Sequence, residues 1–131
     1  MDISVVVPLY NEEESLPELV AWIDRVAKAN SLTYEIIMVD DGSTDGSWDV
    51  VKRLKEEYPS IRGISFMCNY GKSPALYCGF DMAEGDVVFT MDADLQDSPD
   101  EIVPMRQMLF EQNLDMVSGW KRKRYDPIGK R

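Results

Sequence analysis

Apolar and polar positions fall in alternating blocks along this chain, and the period changes from block to block. Ile3 to Val7 is a short apolar run, the signature of a strand buried on both faces. Pro8-Leu9-Tyr10-Asn11-Glu12 breaks it with a polar loop. Ser15-x-x-Glu18 has the spacing of a capping box, with Pro17 in the first turn. Leu16, Leu19, Val20, Ile23, Val26 and Ala27 follow at helical spacing, and Asn30-Ser31 ends that helix. Tyr34 to Val39 predicts a second strand, and Asp40 to Gly46 is turn chemistry leading to a helix start. Trp48, Val51 and Leu54 mark the next apolar helix face, closed by Pro59. Ile61 to Met67 predicts a weaker third strand. Ser73-Pro74 predicts the cap and first residue of a third helix. Gly85-Asp86 turns into a strand at Val87 to Met91. Ser98-Pro99-Asp100-Glu101 forms a second capping box, continued by Ile102, Met105, Met108 and Leu109. Leu114 to Ser118 predicts a fifth strand, and from Gly119 onward the pattern is lost.

Strand and helix therefore alternate to a fifth strand. The expectation is an α/β fold: one domain over residues 1–131, with a mostly parallel, Rossmann-like sheet and helices on both faces. Three polar clusters follow three different strands: Pro8 to Glu12, Asp40 to Ser43, and Asp92 to Asp97. In a parallel sheet all three emerge on the same edge, outside the carboxyl ends of the strands, where ligands bind in such folds.

Charge and composition narrow the function. The 131 residues carry a formal net charge of −10, which disfavours nucleic acid as a partner. The acidity is uneven, because Lys121 to Arg131 holds six basic residues and one acid. There is no histidine, so neither a Ser-His-Asp site nor a histidine-ligated zinc can form within these residues. Cys68 and Cys78 lack CxxC spacing and read as structural thiols, in keeping with a reducing compartment. Met1-Asp2-Ile3 lacks the basic start of a signal peptide, and no apolar run is long enough to span a bilayer. The expected location is cytoplasmic.

The sharpest chemical signal is Asp92-x-Asp94, acids that interrupt a buried strand. In extended backbone the two carboxylates point the same way, and a divalent cation would relieve their repulsion. The bland alternative is a solvated loop. At Asp40-Asp41-Gly42-Ser43 the alternatives are turn chemistry, or a carboxylate accepting from a base imide N–H. At Pro8 to Glu12 they are a plain connection, or a stacking face at Tyr10 and a ribose-hydroxyl acceptor at Glu12. Gly71-Lys72-Ser73 ends like a P-loop, but Phe66 stands where that motif needs glycine, so it is not one. Lys72 is then a phosphate contact or a surface lysine. Lys121 to Arg124, beside Trp120 and Tyr125, is a solvated tail, or a clamp on substrate phosphates or an anionic membrane surface.

Together these segments resemble the family 2 glycosyltransferases of the GT-A fold, in particular the dolichyl- and polyprenyl-phosphate sugar transferases. The resemblance is carried by Val5 to Glu13, Val39 to Gly46, Asn69-Tyr70-Gly71-Lys72, Ala75, Gly79, Ala83, Gly85-Asp86 and Met91 to Pro99. It ends with Gly119-x-Lys121-x-x-Arg124-x-Asp126. By that resemblance Pro8, Tyr10 and Glu12 contact the nucleoside, with Asp40 at the base. Asp92 and Asp94 form the DxD motif for Mg or Mn, Asp94 being the direct ligand. Gln96 lies by the sugar diphosphate and Arg124 by the phosphates. Asn11, Asp41, Lys72, Ala93 and Lys121 complete the expected nucleotide-sugar site. The family often has Arg where Lys121 stands, and Arg would pair a phosphate bidentately. Relatives continue past the equivalent of Arg131 with more of the catalytic domain and often membrane helices. The chain is accordingly expected to be the nucleotide-sugar-binding part of a truncated domain, whose intact form sits at the cytoplasmic face of a membrane.

The implied reaction is inverting transfer of a sugar from a UDP- or GDP-sugar to an acceptor, assisted by Mg or Mn. An alcohol acceptor needs a general base, and without histidine a carboxylate such as Asp97 would serve. A polyprenyl phosphate is already ionised and needs little such help, which favours a lipid phosphate acceptor. Two alternatives stand beside this. The chain could bind nucleotide without turnover. It could also be a phosphatase of the haloacid-dehalogenase type, whose DxD supplies an aspartate nucleophile; those enzymes usually carry Thr or Val where Leu95 stands and place the motif on an early strand.

Overall fold

The computed structural model describes residues 1–96, 98–111, 116–117 and 120–122. The central strands are β1 (Ile3–Leu9), β2 (Tyr34–Asp40), β3 (Ile61–Ser65) and β4 (Val87–Thr90). They lie in the order β3-β2-β1-β4 and all pair in parallel. Helices α1 (Leu16–Ala29), α2 (Ser47–Glu57) and α3 (Lys72–Met82) connect them. A 3-10 turn, Pro99–Glu101, leads into α4 (Ile102–Glu111). Two short strands, β5 (Met116–Val117) and β6 (Trp120–Arg122), extend the sheet beyond β4 in the order β4-β6-β5.

Period-two alternation sends successive residues of each strand to opposite faces. On one face Val5, Val7, Ile36, Met38 and Phe89 pack against Leu16, Leu19, Ile23, Val51, Leu54, Ile102 and Leu109. On the other, Val6, Ile37, Val39 and Val88 pack against Ala75 and Ala83 of the α3 segment. Helices thus cover both faces, as the alternation of strands and helices predicts. Phe89 is fully buried, a contribution of about 1.5–3 kcal/mol for a side chain of its kind. α3 approaches β1 closely because Gly79 has no side chain. A Cβ there would sit 2.3 Å from Val6 Cγ1.

Several local expectations are corrected. The fifth strand is antiparallel to its neighbour, and a sixth follows in the region that lacks a periodic pattern. β3 stops at Ser65 rather than Met67, and α3 starts at Lys72, so Ser73 lies inside the helix and caps nothing. Ser15 makes no cap hydrogen bond to α1, because its hydroxyl is used elsewhere. Ser98 does cap, accepting from Asp100 N–H at 3.2 Å, but the turn it caps is 3-10.

At the amino-terminal edge of the sheet a buried polar knot joins three strands. Glu35 is 2% exposed and accepts from the Ser4 hydroxyl at 2.6 Å, Glu84 N–H at 2.7 Å and Arg62 Nη1 at 3.0 Å. Ser4 Oγ in turn accepts from Gly85 N–H at 2.8 Å. Burial raises the Glu35 pKa, but the hydrogen bonds from Ser4 and Glu84 N–H and the Arg62 guanidinium outweigh it and hold the carboxyl below its ordinary value of 4.5.

Candidate functional site: the rim at the carboxyl ends of the strands

The chain leaves β1 outward through β2 to β3, then crosses back to β4 on the other side of β1. The carboxyl ends of β1 and β4 therefore flank the point where the strand order reverses, and a crevice opens there for topological reasons alone. A cavity of about 340 Å³ occupies this crevice. Pro8, Leu9 and Tyr10 line it from β1, Asp41 from the end of β2, Asn69, Gly71, Lys72 and Ala75 from the start of α3, and Asp92 from the end of β4. The three polar clusters singled out in the sequence do meet along one edge. Tyr10 keeps an exposed ring there, 44% accessible.

Hydrogen bonds between distant loops hold this rim together. Asn11 adopts a left-handed conformation, φ 54°, tolerable for asparagine. Its Oδ1 accepts from Thr44 N–H at 2.8 Å and Asp45 N–H at 3.2 Å, while its own N–H donates to Ser43 Oγ at 2.9 Å. Glu12 N–H donates to Ser47 Oγ at 2.9 Å, and that hydroxyl donates to Asp45 Oδ1 at 2.6 Å. Asp40 is buried, with Oδ1 accepting from Ser43 N–H at 2.9 Å. Both oxygens of Asp41 accept main-chain protons, from Tyr70 at 2.7 Å and Gly71 at 2.9 Å. That contact pins the segment before α3 against the end of β2. Gly42 makes the approach possible, since at φ +75° a Cβ would lie 2.4 Å from the Cys68 carbonyl carbon. Asn11 and Asp41 thus serve the scaffold of the site.

The DxD segment is not extended. β4 ends at Thr90, Ala93 and Asp94 lie in a turn, and Leu95 has φ 67°. A left-handed leucine costs about 1–2 kcal/mol, so this turn carries strain. Asp94 Oδ1 accepts from Gln96 N–H at 3.2 Å. The expectation that both carboxylates point the same way fails, because the backbone turns between them. Asp92 lines the main cavity, whereas Asp94 lines a neighbouring acidic hollow of about 290 Å³ shared with Glu12, Glu13, Glu14 and Asp45. The buried Ala93 between them accepts a hydrogen bond from the Ser15 hydroxyl at the head of α1. The rim contacts of Ser15 and Ser47 are not legible in the sequence; a serine at a helix start reads as a cap, as Ser15 does, and nothing local says it turns toward another loop.

Lys72 Nζ lies 2.7 Å from Asp92 Oδ1. The lysine is placed by α3 and the carboxylate by the end of β4, so the pair spans the cavity mouth. Asp97 and Arg124 lie outside the described residues. The backbone of Lys121 stands in β6 opposite Val88, and β6 runs from there toward the amino end of β4, away from the rim. Among the described residues no group of three or more Cys, Asp or Glu could hold a metal by itself. Cys68 and Cys78 are free thiols. No helix among the described residues is long and apolar enough to cross a membrane.

The glycosyl transferase family 2 model matches residues 4–131. The chain belongs to that family. Among curated family relatives, the undecaprenyl-phosphate 4-deoxy-4-formamido-L-arabinose transferase of Pseudomonas syringae is 40% identical over 98% of this chain, and that of Proteus mirabilis 42% identical over 95%. The chain spans about 38% of the length of each. Solved GT-A glycosyltransferases share the fold. S. aureus TarS 1-349 superposes with TM-score 0.70 at 23% identity, over 86% of this chain and 33% of that one. A mannosyltransferase from Pyrobaculum calidifontis, in complex with GDP-Man and Mn2+, superposes with TM-score 0.68 at 28% identity, over 81% of this chain and 32% of that one.

Proposed function

We propose that this chain is the donor-binding part of an inverting transferase that moves a sugar from a UDP- or GDP-sugar to a polyprenyl phosphate at the cytoplasmic face of a membrane. The observation that carries this is the cavity at the strand-order reversal, where Tyr10, Asp41, Lys72 and Asp92 come together from four separate segments. The Tyr10 ring offers a face for the base; Asp40, buried at the end of β2, and Glu12, in the neighbouring hollow, are the proposed acceptors for base and ribose. Lys72 offers an ammonium to the diphosphate. The curated relatives are undecaprenyl-phosphate sugar transferases, which supports the lipid phosphate as acceptor.

A divalent cation, Mg or Mn, fits the donors present. Hard cations of this kind take one or two carboxylates and complete their shell with substrate phosphates and water, so the absence of a larger acid cluster among the described residues is no obstacle. Asp92 would hold it from the cavity, and Asp94 would have to turn out of its neighbouring hollow to join. When bound, it would supply positive charge against the departing diphosphate. The acceptor phosphate oxygen attacks the anomeric carbon as the bond to the diphosphate breaks, inverting that carbon, and an ionised phosphate needs no base. The phosphatase alternative is set aside by the family to which the chain belongs.

Thermal shift of the chain with UDP- and GDP-sugars tests the assignment, with and without Mn2+, in the native sequence and in Asp94→Ala. A ligand that binds only the folded state raises the melting point. The expected result is a Mn2+-dependent rise that Asp94→Ala loses; equal shifts in all four conditions reject the role of the carboxylates. Because the chain spans 38% of its relatives' length, a second reading is nucleotide binding without turnover. Binding without transfer, with transfer restored in a longer chain, would establish that reading.

A further inference from the structure

We propose that Lys72 is a built-in counter-ion that holds Asp92 in the empty site and competes with the incoming divalent cation for it. This rests on the proposed function above. The ammonium sits 2.7 Å from Asp92 Oδ1, at the distance of a direct charged hydrogen bond. Among the described residues lining the main cavity Lys72 is the only cation. Its backbone position is set by the fold. The segment before it is clamped by the Asp41 carboxylate to the main chain of Tyr70 and Gly71, and Lys72 is the first residue of α3. The clamp places the Lys72 backbone at the cavity mouth, within side-chain reach of Asp92, before any ligand arrives.

Two consequences follow from charge alone. A divalent cation approaching Asp92 meets a positive charge already paired with it and must displace it, so Mn2+ by itself binds more weakly than the carboxylate would otherwise allow. A diphosphate changes the balance, because it offers the displaced ammonium a new anionic partner. Metal and nucleotide then help each other onto the site, and part of that coupling belongs to Lys72. The lysine side chain is 60% exposed and Asp92 38%, so the effect has the size of a solvated ion pair.

The test is Mn2+ titration followed by the loss of the free-ion paramagnetic resonance signal, in the native chain, Lys72→Met and Asp92→Asn, each repeated with saturating UDP. Melting curves without ligand confirm that the variants fold. Without nucleotide, Lys72→Met is expected to bind Mn2+ about two- to fivefold more tightly than the native chain, the range an exposed pair supports. The factor by which UDP improves Mn2+ affinity is expected to shrink in the same variant. Equal or weaker Mn2+ binding by folded Lys72→Met, while Asp92→Asn still weakens binding, overturns the counter-ion role and leaves the metal assignment standing. Mn2+ binding that Asp92→Asn does not change overturns the competition for Asp92, and with it the counter-ion role; no Mn2+ binding by any of the proteins with or without UDP overturns the metal assignment itself.

Discussion

At the scale of single residues, the rim is built by acids whose work differs more than their letters do. Asp41 spends both oxygens on main-chain N–H groups; Asp40 uses one on Ser43; Asp94 turns to its own loop; Asp92 faces a lysine. Removing the Asp41 carboxylate leaves two part-buried N–H groups without their acceptor. Asp41→Ala is expected to cost about 1–3 kcal/mol, read from urea unfolding, with Asp41→Asn losing less because one acceptor oxygen remains. Nucleotide affinity is expected to fall with it, since the clamp also places Lys72. Adjacent aspartates in a turn look alike in sequence. Which one faces a ligand depends on N–H groups 29 and 30 residues away.

At the scale of elements, the sheet and its helices were readable in outline. Apolar runs mark β1, β2 and β4 to within a residue or two, because a strand buried on both faces leaves no room for polar interruption. β6 was not readable, since a three-residue strand carries too few positions to show a period. The packing of α3 on β1 turns on one residue. Gly79→Ala would push a methyl group against Val6, a buried β-branched side chain with little freedom to move. The expected cost is about 1–3 kcal/mol, seen as a lower melting temperature. Tyr77→Ala, on the exposed side of the same helix, is expected to change stability by no more than about 0.5 kcal/mol.

At the scale of the whole molecule, the two edges of the sheet have opposite characters. The carboxyl edge is open and acidic; the amino edge is sealed around Glu35. Because the folded-state pKa of Glu35 lies below its ordinary value of 4.5, its charge stabilises the fold above that pH, and the contribution is lost as pH falls through the folded value. Glu35→Gln is therefore expected to be less stable than the native chain at pH 7, and the gap is expected to narrow as pH falls below the ordinary value of 4.5 and through the lower folded-state value. Denaturant midpoints measured at a series of pH values check this. A gap that stays constant with pH would contradict the assigned charge.

The sequence by itself determined the alternation of strand and helix, the two buried faces and the edge on which the polar clusters emerge. Those follow from periodicity and from where apolar runs stop, which are properties of neighbours in the chain. Its motifs also pointed to the family. Only the tertiary structure decided how each acid is aimed: Asp41 toward the segment before α3, Asp92 toward Lys72, Asp94 into a separate hollow. Beyond the last residue of a strand no local period constrains a side chain. For Asn11 and Asp41 that direction is set by hydrogen bonds to loops about 30 residues distant, and such partners exist only once the sheet has brought the loops together.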